Sequence, residues 1–145
     1  MQKILTVKGT KDLFGEDIFN HDEVIRNFSE ICNFFSYQKI STPIIEHSSI
    51  FEKSLGLTSD IISKEMYSFV DKGGDSIVLR PEGTAAISRA LISNSLQEKN
   101  LKKFFYYGPM FRREKPQHGR MRQFHQVGVE NFADLNFLCD LEVIL

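Results

Sequence analysis

The strongest constraint on how this 145-residue chain can fold is a pair of alternating segments, residues 103–114 and 122–132, around the polar loop Lys115-Pro116-Gln117-His118-Gly119-Arg120-Met121. Side chains on a strand alternate between faces, so residues two apart share a side. Met110, Arg112 and Glu114 therefore share one face of the first segment. Arg122, Phe124, Gln126, Gly128 and Glu130 share one face of the second. Pairing residue 114 with 122 across the loop sets Arg112 opposite Phe124 and Met110 opposite Gln126, so both sets line one surface of a hairpin. The other face carries Phe111, Val127 and Val129 and is expected to pack on a core. Periodicity alone fits a solvated polar face. Three details make it a candidate site instead. Phe124 offers a flat ring for stacking, Gly128 leaves room for a ligand to approach the backbone, and Glu114 and Glu130 sit among Arg112 and Arg122.

The remaining segments supply helices and a second hairpin. Gly15-Glu16-Asp17 offers a helix start, and Ile25, Phe28, Cys32 and Phe35 recur on one face of a helix over about 17–36. A β-leaning stretch, 39–45, must be an edge or be broken at Pro43, which cannot donate to a ladder. Ser48 or Ser49 can cap a short helix ending before Gly56. Residues 66–70 and 76–80 read as strands joined by Asp71-Lys72-Gly73-Gly74-Asp75. Pro81 then opens a helix over about 82–95, with Glu82 in its first turn. The fold class is α+β, an antiparallel sheet flanked by helices. The tail 137–145 is predicted helical but carries no cap and no basic residue in its last turn. That pattern predicts a truncated chain.

Composition enters through charge. A hydrophobic share of 41% and a charged share of 26% exclude a disordered or membrane-embedded chain, and no apolar run approaches a membrane span. The net charge of −1 hides an uneven distribution. Residues 102–122 hold Lys102, Lys103, Arg112, Arg113, Lys115, Arg120 and Arg122 against the single acid Glu114, while the rest of the chain is acidic. A focused basic patch suits the phosphates of a nucleotide or a nucleic acid. Cys32 and Cys139 have no Cys or His at metal-ligand spacing, so two reduced thiols in a cytoplasmic protein are expected, with no metal site of their own.

These residues also carry a family resemblance. Phe111-Arg112-Arg113-Glu114, a loop, then Gly119-Arg120-Met121-Arg122-Gln123-Phe124 resembles motif 2 of class II aminoacyl-tRNA synthetases. Arg80-Pro81-Glu82-Gly83-Thr84 and Gln126-Val127-Gly128-Val129-Glu130 are similar to the histidine-binding elements of the histidyl-tRNA synthetases. The segment around Pro43, after the long helix, resembles motif 1, the class II dimer element, and Val7-Lys8-Gly9-Thr10-Lys11-Asp12 is similar to how these enzymes begin. The likeness runs over nearly the whole chain, with its motifs in order.

The resemblance implies ATP-dependent ligation of L-histidine to tRNA(His) through histidyl-adenylate, with ATP as its Mg2+ complex. It implies that Arg112 contacts the α-phosphate and the substrate carboxylate as the catalytic residue. Glu114 would accept from the adenine amino group, Phe124 would stack on the ring, and Arg120 would reach the phosphate tail. Glu82, Thr84 and Gln126 would hold the α-ammonium of histidine, and Glu130 its imidazole. His118 and His125 have no catalytic role in that family, and His125 is expected to face the core side. A homodimer through the 17–45 region around Pro43 is implied as well. Motif 3 and the anticodon-binding domain do not occur in residues 1–145, which then form the N-terminal portion of the catalytic domain and would not aminoacylate alone. The nearest rival is the synthetase-like regulatory subunit of ATP phosphoribosyltransferase, which shares the fold but typically has a degraded motif 2. Intact Arg112, Glu114 and Phe124 argue against it. The Arg80–Thr84 and Gln126–Glu130 elements argue against another class II synthetase, and strand-face alternation against a generic nucleic-acid-binding domain.

Overall fold

The computed structural model describes residues 3–56, 59–115, 119–133 and 137–144. After an extended arm, helix α1 runs Glu16–Phe34, followed by strands β1 (Gln38–Lys39) and β2 (Ile45–His47). Helix α2 (Ser48–Leu55) leads to a π-helical turn, Ile61–Glu65, and then to strands β3 (Tyr67–Val70) and β4 (Ser76–Leu79). Helix α3 (Thr84–Ser93), strands β5 (Lys103–Phe111) and β6 (Gln123–Asn131) and helix α4 (Phe137–Ile144) complete the order. The class is α+β, as expected.

The strands form two sheets of three rather than one antiparallel sheet, in the orders β1-β5-β6 and β2-β4-β3. The 39–45 stretch breaks around Pro43 as its missing N–H requires, and the break is what feeds two sheets. Upstream, β1 pairs parallel to β5; downstream, β2 pairs antiparallel to β4. Asp71 ties the β3–β4 turn by accepting from the amides of Gly73 and Asp75.

Helices cover both faces of the β1-β5-β6 sheet. On one side α3 places Ile87 and Leu91 against Phe104, Tyr106 and Met110. On the other, α1 places Cys32, with Phe28 and Phe35, against Tyr37 and Phe105. The apolar stripe read from 25, 28, 32 and 35 is thus the inward face of α1. A third cluster, Phe51 with Val78 and Ala85, seats α2 and the second sheet against α3. Complete burial of Phe51 and Val78 contributes roughly 1.5–3 kcal/mol each.

Two expectations about the long hairpin need correction. Its register is shifted by two: Met110 lies opposite Phe124 and Gly108 opposite Gln126, and Arg112 donates its amide to Arg122 O at 3.0 Å. The cause is local. One residue on, the Arg113 amide donates to Glu65 O of the π turn at 2.7 Å, so the first strand leaves the ladder before Glu114 can pair. Because the shift is even, every side chain keeps its face. The second correction concerns which face is buried. Val129 packs on the α1 cluster as expected, but Val127 beside it is 40% exposed and Phe111 half-buried, and the face of Met110, Gln126 and Glu130 is covered as well, by α3.

The amino-terminal arm is tied to α1 by Lys11 Nζ, 3.4 Å from Asp17 Oδ2, and to the base of β6 through Gly9. Gly9 O accepts from the amides of Arg122 at 2.7 Å and Gln123 at 3.3 Å, at the base of β6.

Candidate active site

The site grows from the five residues between β4 and α3. Arg80 closes β4 and joins the sheets: its amide donates to Ile44 O at 2.9 Å, and its carbonyl accepts from the Phe111 amide at 3.0 Å. Its guanidinium is buried and satisfied by the chain itself, Nε to Pro109 O at 3.0 Å and Nη1 to Thr42 O at 2.8 Å. Burial lowers its pKa, opposed by the charge of Glu46. Arg80 is therefore a clamp rather than a ligand contact.

Glu82 is buried at the start of α3, where four amides lack intrahelical partners. Its two carboxylate oxygens take two of them, the amide of Thr84 at 2.6 Å and that of Ala85 at 2.9 Å. The negative charge sits at the positive end of the helix. Glu82 is thus oriented by the helix it caps.

Across the gap, β6 presents Gln126 and Glu130. Thr84 Oγ1 donates to Glu130 Oε1 at 2.6 Å. Loss of hydration raises the Glu130 carboxyl above its ordinary range; the Thr84 bond opposes this and the charge of Glu82 adds to it. Burial, with Glu130 nearby, pushes the Tyr106 phenol up to about 12. Gln126 Oε1 is buried without a hydrogen-bond donor among the described residues. Glu82, Glu130 and Gln126 together bring an excess of acceptors to one spot, which suits a ligand bearing an ammonium and further N–H groups.

Gly128 does not leave room for a ligand, contrary to expectation. A methyl group there would lie 2.5 Å from Tyr106 Cζ, and one at Gly83 would lie 2.2 Å from Tyr106 Cε2. The ring threads between the two glycines and fills the space. Tyr106 is the site residue that sequence reasoning missed. Two glycines in motifs that meet across a hairpin were the available signal, since something aromatic had to occupy the gap.

A cleft of about 640 Å³ opens beside this spot, lined by Arg112, Glu114, Arg120 and Phe124, with Asp60 and Glu65 on its far wall. Arg112 Nε donates to Pro81 O at 3.0 Å, and its guanidinium lies 5.1 Å from the Phe124 ring centroid. Anchored through Nε and the ring, the guanidinium keeps its planar fork at the junction of the two spaces. Glu114 Oε2 is buried without a hydrogen bond and lies 3.4 Å from Arg120 Nη1, an ion pair lacking hydrogen-bond geometry. The structure thus brings Arg112, Glu114, Arg120 and Phe124 together, as predicted, next to Glu82, Thr84, Gln126 and Glu130. Pro43 lies apart, exposed between β1 and β2.

Of the histidines, His125 lines the cleft. His125 points toward α1, as its face predicts, yet it is exposed rather than in a core; its ring meets His21 edge-on at 4.5 Å. Burial and then His21 lower its pKa. His118 lies outside the described residues.

A family model described as histidyl-tRNA synthetase matches residues 9–145. The chain belongs to the histidyl-tRNA synthetase family. Within that family, a histidine–tRNA ligase from Gluconacetobacter diazotrophicus is 48% identical over 144 residues, 99% of this chain and 35% of that protein. The histidine–tRNA ligase of Thermotoga maritima is 49% identical over 144 residues, 99% of this chain and 34% of that one. Among solved structures, apo S. aureus histidyl-tRNA synthetase superposes with a TM-score of 0.79 at 35% identity, covering 98% of this chain and 32% of its own. A Bacillus halodurans protein described as an ATP phosphoribosyltransferase regulatory subunit/histidyl-tRNA synthetase gives 0.81 at 27% identity, covering 99% of this chain and 36% of its own. The chain spans about a third of the length of these histidyl-tRNA synthetase relatives.

Proposed function

We propose that this chain forms the histidine- and ATP-binding portion of an enzyme that joins L-histidine to tRNA(His). The observation that carries the reading is the meeting, at Arg112, of an acceptor-rich pocket with a cleft that holds Arg112, Arg120 and the Phe124 ring. The α-ammonium of histidine would take Gln126 Oε1, Thr84 and the carboxylate of Glu82. Glu130 would accept from the imidazole N–H, and a ligand lacking that donor would leave a buried acceptor unpaired, which is strongly disfavoured. ATP would lie in the cleft, its adenine on Phe124 and its amino group donating to Glu114. Arg120 would meet the phosphate tail.

Arg112 would contact the histidine carboxylate and the α-phosphate together. The carboxylate oxygen attacks the α-phosphorus, the bond to the β-phosphate oxygen breaks, and pyrophosphate leaves with its electron pair. Arg112 offers fixed N–H donors where negative charge builds on the α-phosphoryl oxygens. Mg2+ arriving with ATP would neutralise triphosphate charge. The histidyl group of the adenylate then passes to the 3′-terminal ribose of tRNA, whose acceptor end the basic 102–122 segment would attract. We place this activity in the cytoplasm.

The 145 residues would make up the front portion of the catalytic domain, with motifs 1 and 2. In support, β6 has a strand neighbour on one side only among the described residues, as if a further strand belongs on its outer edge. A homodimer is proposed through α1 and the Pro43 region. There Ile18, Phe19, Val24, Ile31 and Phe34 of α1 are exposed, as are Ile44 and Ile45, apolar side chains that a second copy would cover.

Histidine-dependent pyrophosphate exchange tests the reading. The full-length enzyme should show it and the 145-residue chain should not; robust exchange by the short chain would overturn the portion assignment. Histidine binding without any exchange by the full-length protein would instead favour a regulatory subunit. A stable, active monomer in sedimentation of the full-length protein would refute the dimer.

A further inference from the structure

We propose that Arg80 is a positioning residue for the reaction: it fixes the Arg80–Pro81 peptide between the two sheets, so that Pro81 O holds the guanidinium of Arg112 in place before any substrate arrives. The inference rests on the reading of Arg112 as the group that meets the α-phosphate. It adds a buried residue that acts through Arg112 and is not itself a ligand contact.

Two hydrogen bonds join residues 80–81 to residues 111–112, one residue apart on each side. The Phe111 amide donates to Arg80 O at 3.0 Å, and Arg112 Nε donates to Pro81 O at 3.0 Å. The first sets the spacing of the two segments. The second sets the plane of a guanidinium that lines the cleft. Pro81 is fully buried and its ring fixes φ, so where its carbonyl points follows from how its neighbours are held. After it, Glu82 accepts from the amides of Thr84 and Ala85. Before it stands Arg80.

Arg80 is held by partners from two other segments. Its amide donates to Ile44 O at 2.9 Å, and Nη1 donates to Thr42 O at 2.8 Å and to Thr42 Oγ1 at 3.2 Å. Its Nε donates to Pro109 O of β5 at 3.0 Å. One side chain therefore ties the end of β4 both to the strand break around Pro43 and to β5. A planar fork reaches acceptors in two directions at once, whereas a lysine ammonium is a point charge on a flexible stem. Gly108 keeps the space open, since a methyl group there would lie 2.5 Å from Arg80 Nη2. Burying a cation costs stability that a well-packed apolar side chain would not, so geometry is the reason for an arginine at this buried position. A guanidinium anchored in this way is preorganised by its supporting shell.

The test is a double-mutant cycle in the full-length enzyme, read by histidine-dependent pyrophosphate exchange, with Arg80→Lys, Arg112→Ala and the pair. Arg80→Lys keeps the charge and loses the fork. Alone it should lower kcat roughly ten- to a hundredfold, the scale of a misplaced catalytic group, with smaller changes in KM for histidine and ATP. In the Arg112→Ala background it should lower kcat less than about twofold, because the group it positions is gone. Losses that multiply, or an effect of Arg80→Lys confined to stability or to KM, would overturn the positioning role. A measurement on the unaltered enzyme decides the matter even if Arg80→Lys does not fold. Without substrate, the Nε–H proton of Arg112 should exchange with water about tenfold or more slowly than that of the exposed Arg120, as followed by NMR. Equal rates would overturn the proposal. If Arg112→Ala leaves pyrophosphate exchange intact, the reading of Arg112 itself fails, whereas multiplying losses beside a sensitive Arg112→Ala remove the role of Arg80 alone.

Discussion

The two halves of the site are built differently. At the start of α3 nearly every polar group is already engaged: Glu82 caps the helix, Thr84 holds Glu130, and Tyr106 is wedged between two glycines. In the adjoining cleft the polar groups wait. Arg112 is fixed through one nitrogen, Glu114 Oε2 lacks a hydrogen bond, and Arg120 is 61% exposed. The difference matches what each half would bind. A small ligand that must be told from its isosteres needs a pocket whose acceptors are set beforehand, because selectivity comes from leaving the wrong ligand's partners unpaired. A long, charged nucleotide can be met by side chains that settle around it, since electrostatics attract it from a distance.

Four measurements would break or sharpen that contrast. The largest effect is expected from Arg112→Ala, which removes the group shared by both halves. Histidine-dependent pyrophosphate exchange in the full-length enzyme should fall about 10²- to 10³-fold, mostly in kcat. Arg112→Lys should recover little of it, because a point charge lacks the planar fork. A loss confined to KM would show that Arg112 only binds.

Next comes Gly128→Ala, which touches the prebuilt half alone. The new methyl would lie 2.5 Å from Tyr106, and the ring has no free space. Urea unfolding should show a loss on the order of 1–3 kcal/mol. An unchanged midpoint would mean that the wedge is loose.

Glu130→Gln probes the same half through pH. Burial gives Glu130 a folded pKa above its unfolded value, so between the two values the folded state binds more protons. Stability contributed by that carboxyl therefore falls as pH rises through the window from the ordinary glutamate range to the raised value. The substitution should flatten this part of the stability profile, without loss of stability at neutral pH, while weakening histidine binding far more than ATP binding. A profile that keeps its slope would locate the titration elsewhere.

The smallest effect on folding belongs to the open half. Arg120→Ala removes an ion pair with Glu114 whose arginine is mostly exposed, so stability should change by less than about 1 kcal/mol. KM for ATP should rise and KM for histidine stay the same. A large destabilisation would show that the cleft is as prebuilt as its neighbour.

Much of this arrangement is legible in the chain. Strand alternation put Gln126 and Glu130 with Arg112 on one surface, and the 25-28-32-35 spacing identified the inner face of α1. What escaped depended on partners distant in sequence. Hairpin register was decided by the Arg113 amide turning to Glu65, a contact no local pattern encodes. Which face is buried was decided by α3 lying on one side and α1 covering the other only in part. Tyr106 was hidden in the aromatic run Phe104-Phe105-Tyr106-Tyr107, where composition says core and only its two glycine neighbours say otherwise.

Gly9 O, which accepts from both amides at the foot of β6, has a consequence for handling the protein. At the foot of β6 the arm meets the 115–122 loop through the Gly9 carbonyl. A purification tag, a presequence or a protease nick there is therefore not remote from the chemistry. Loss of that carbonyl would free the Arg122 and Gln123 amides at the foot of β6, with the ladder to β5 left in place.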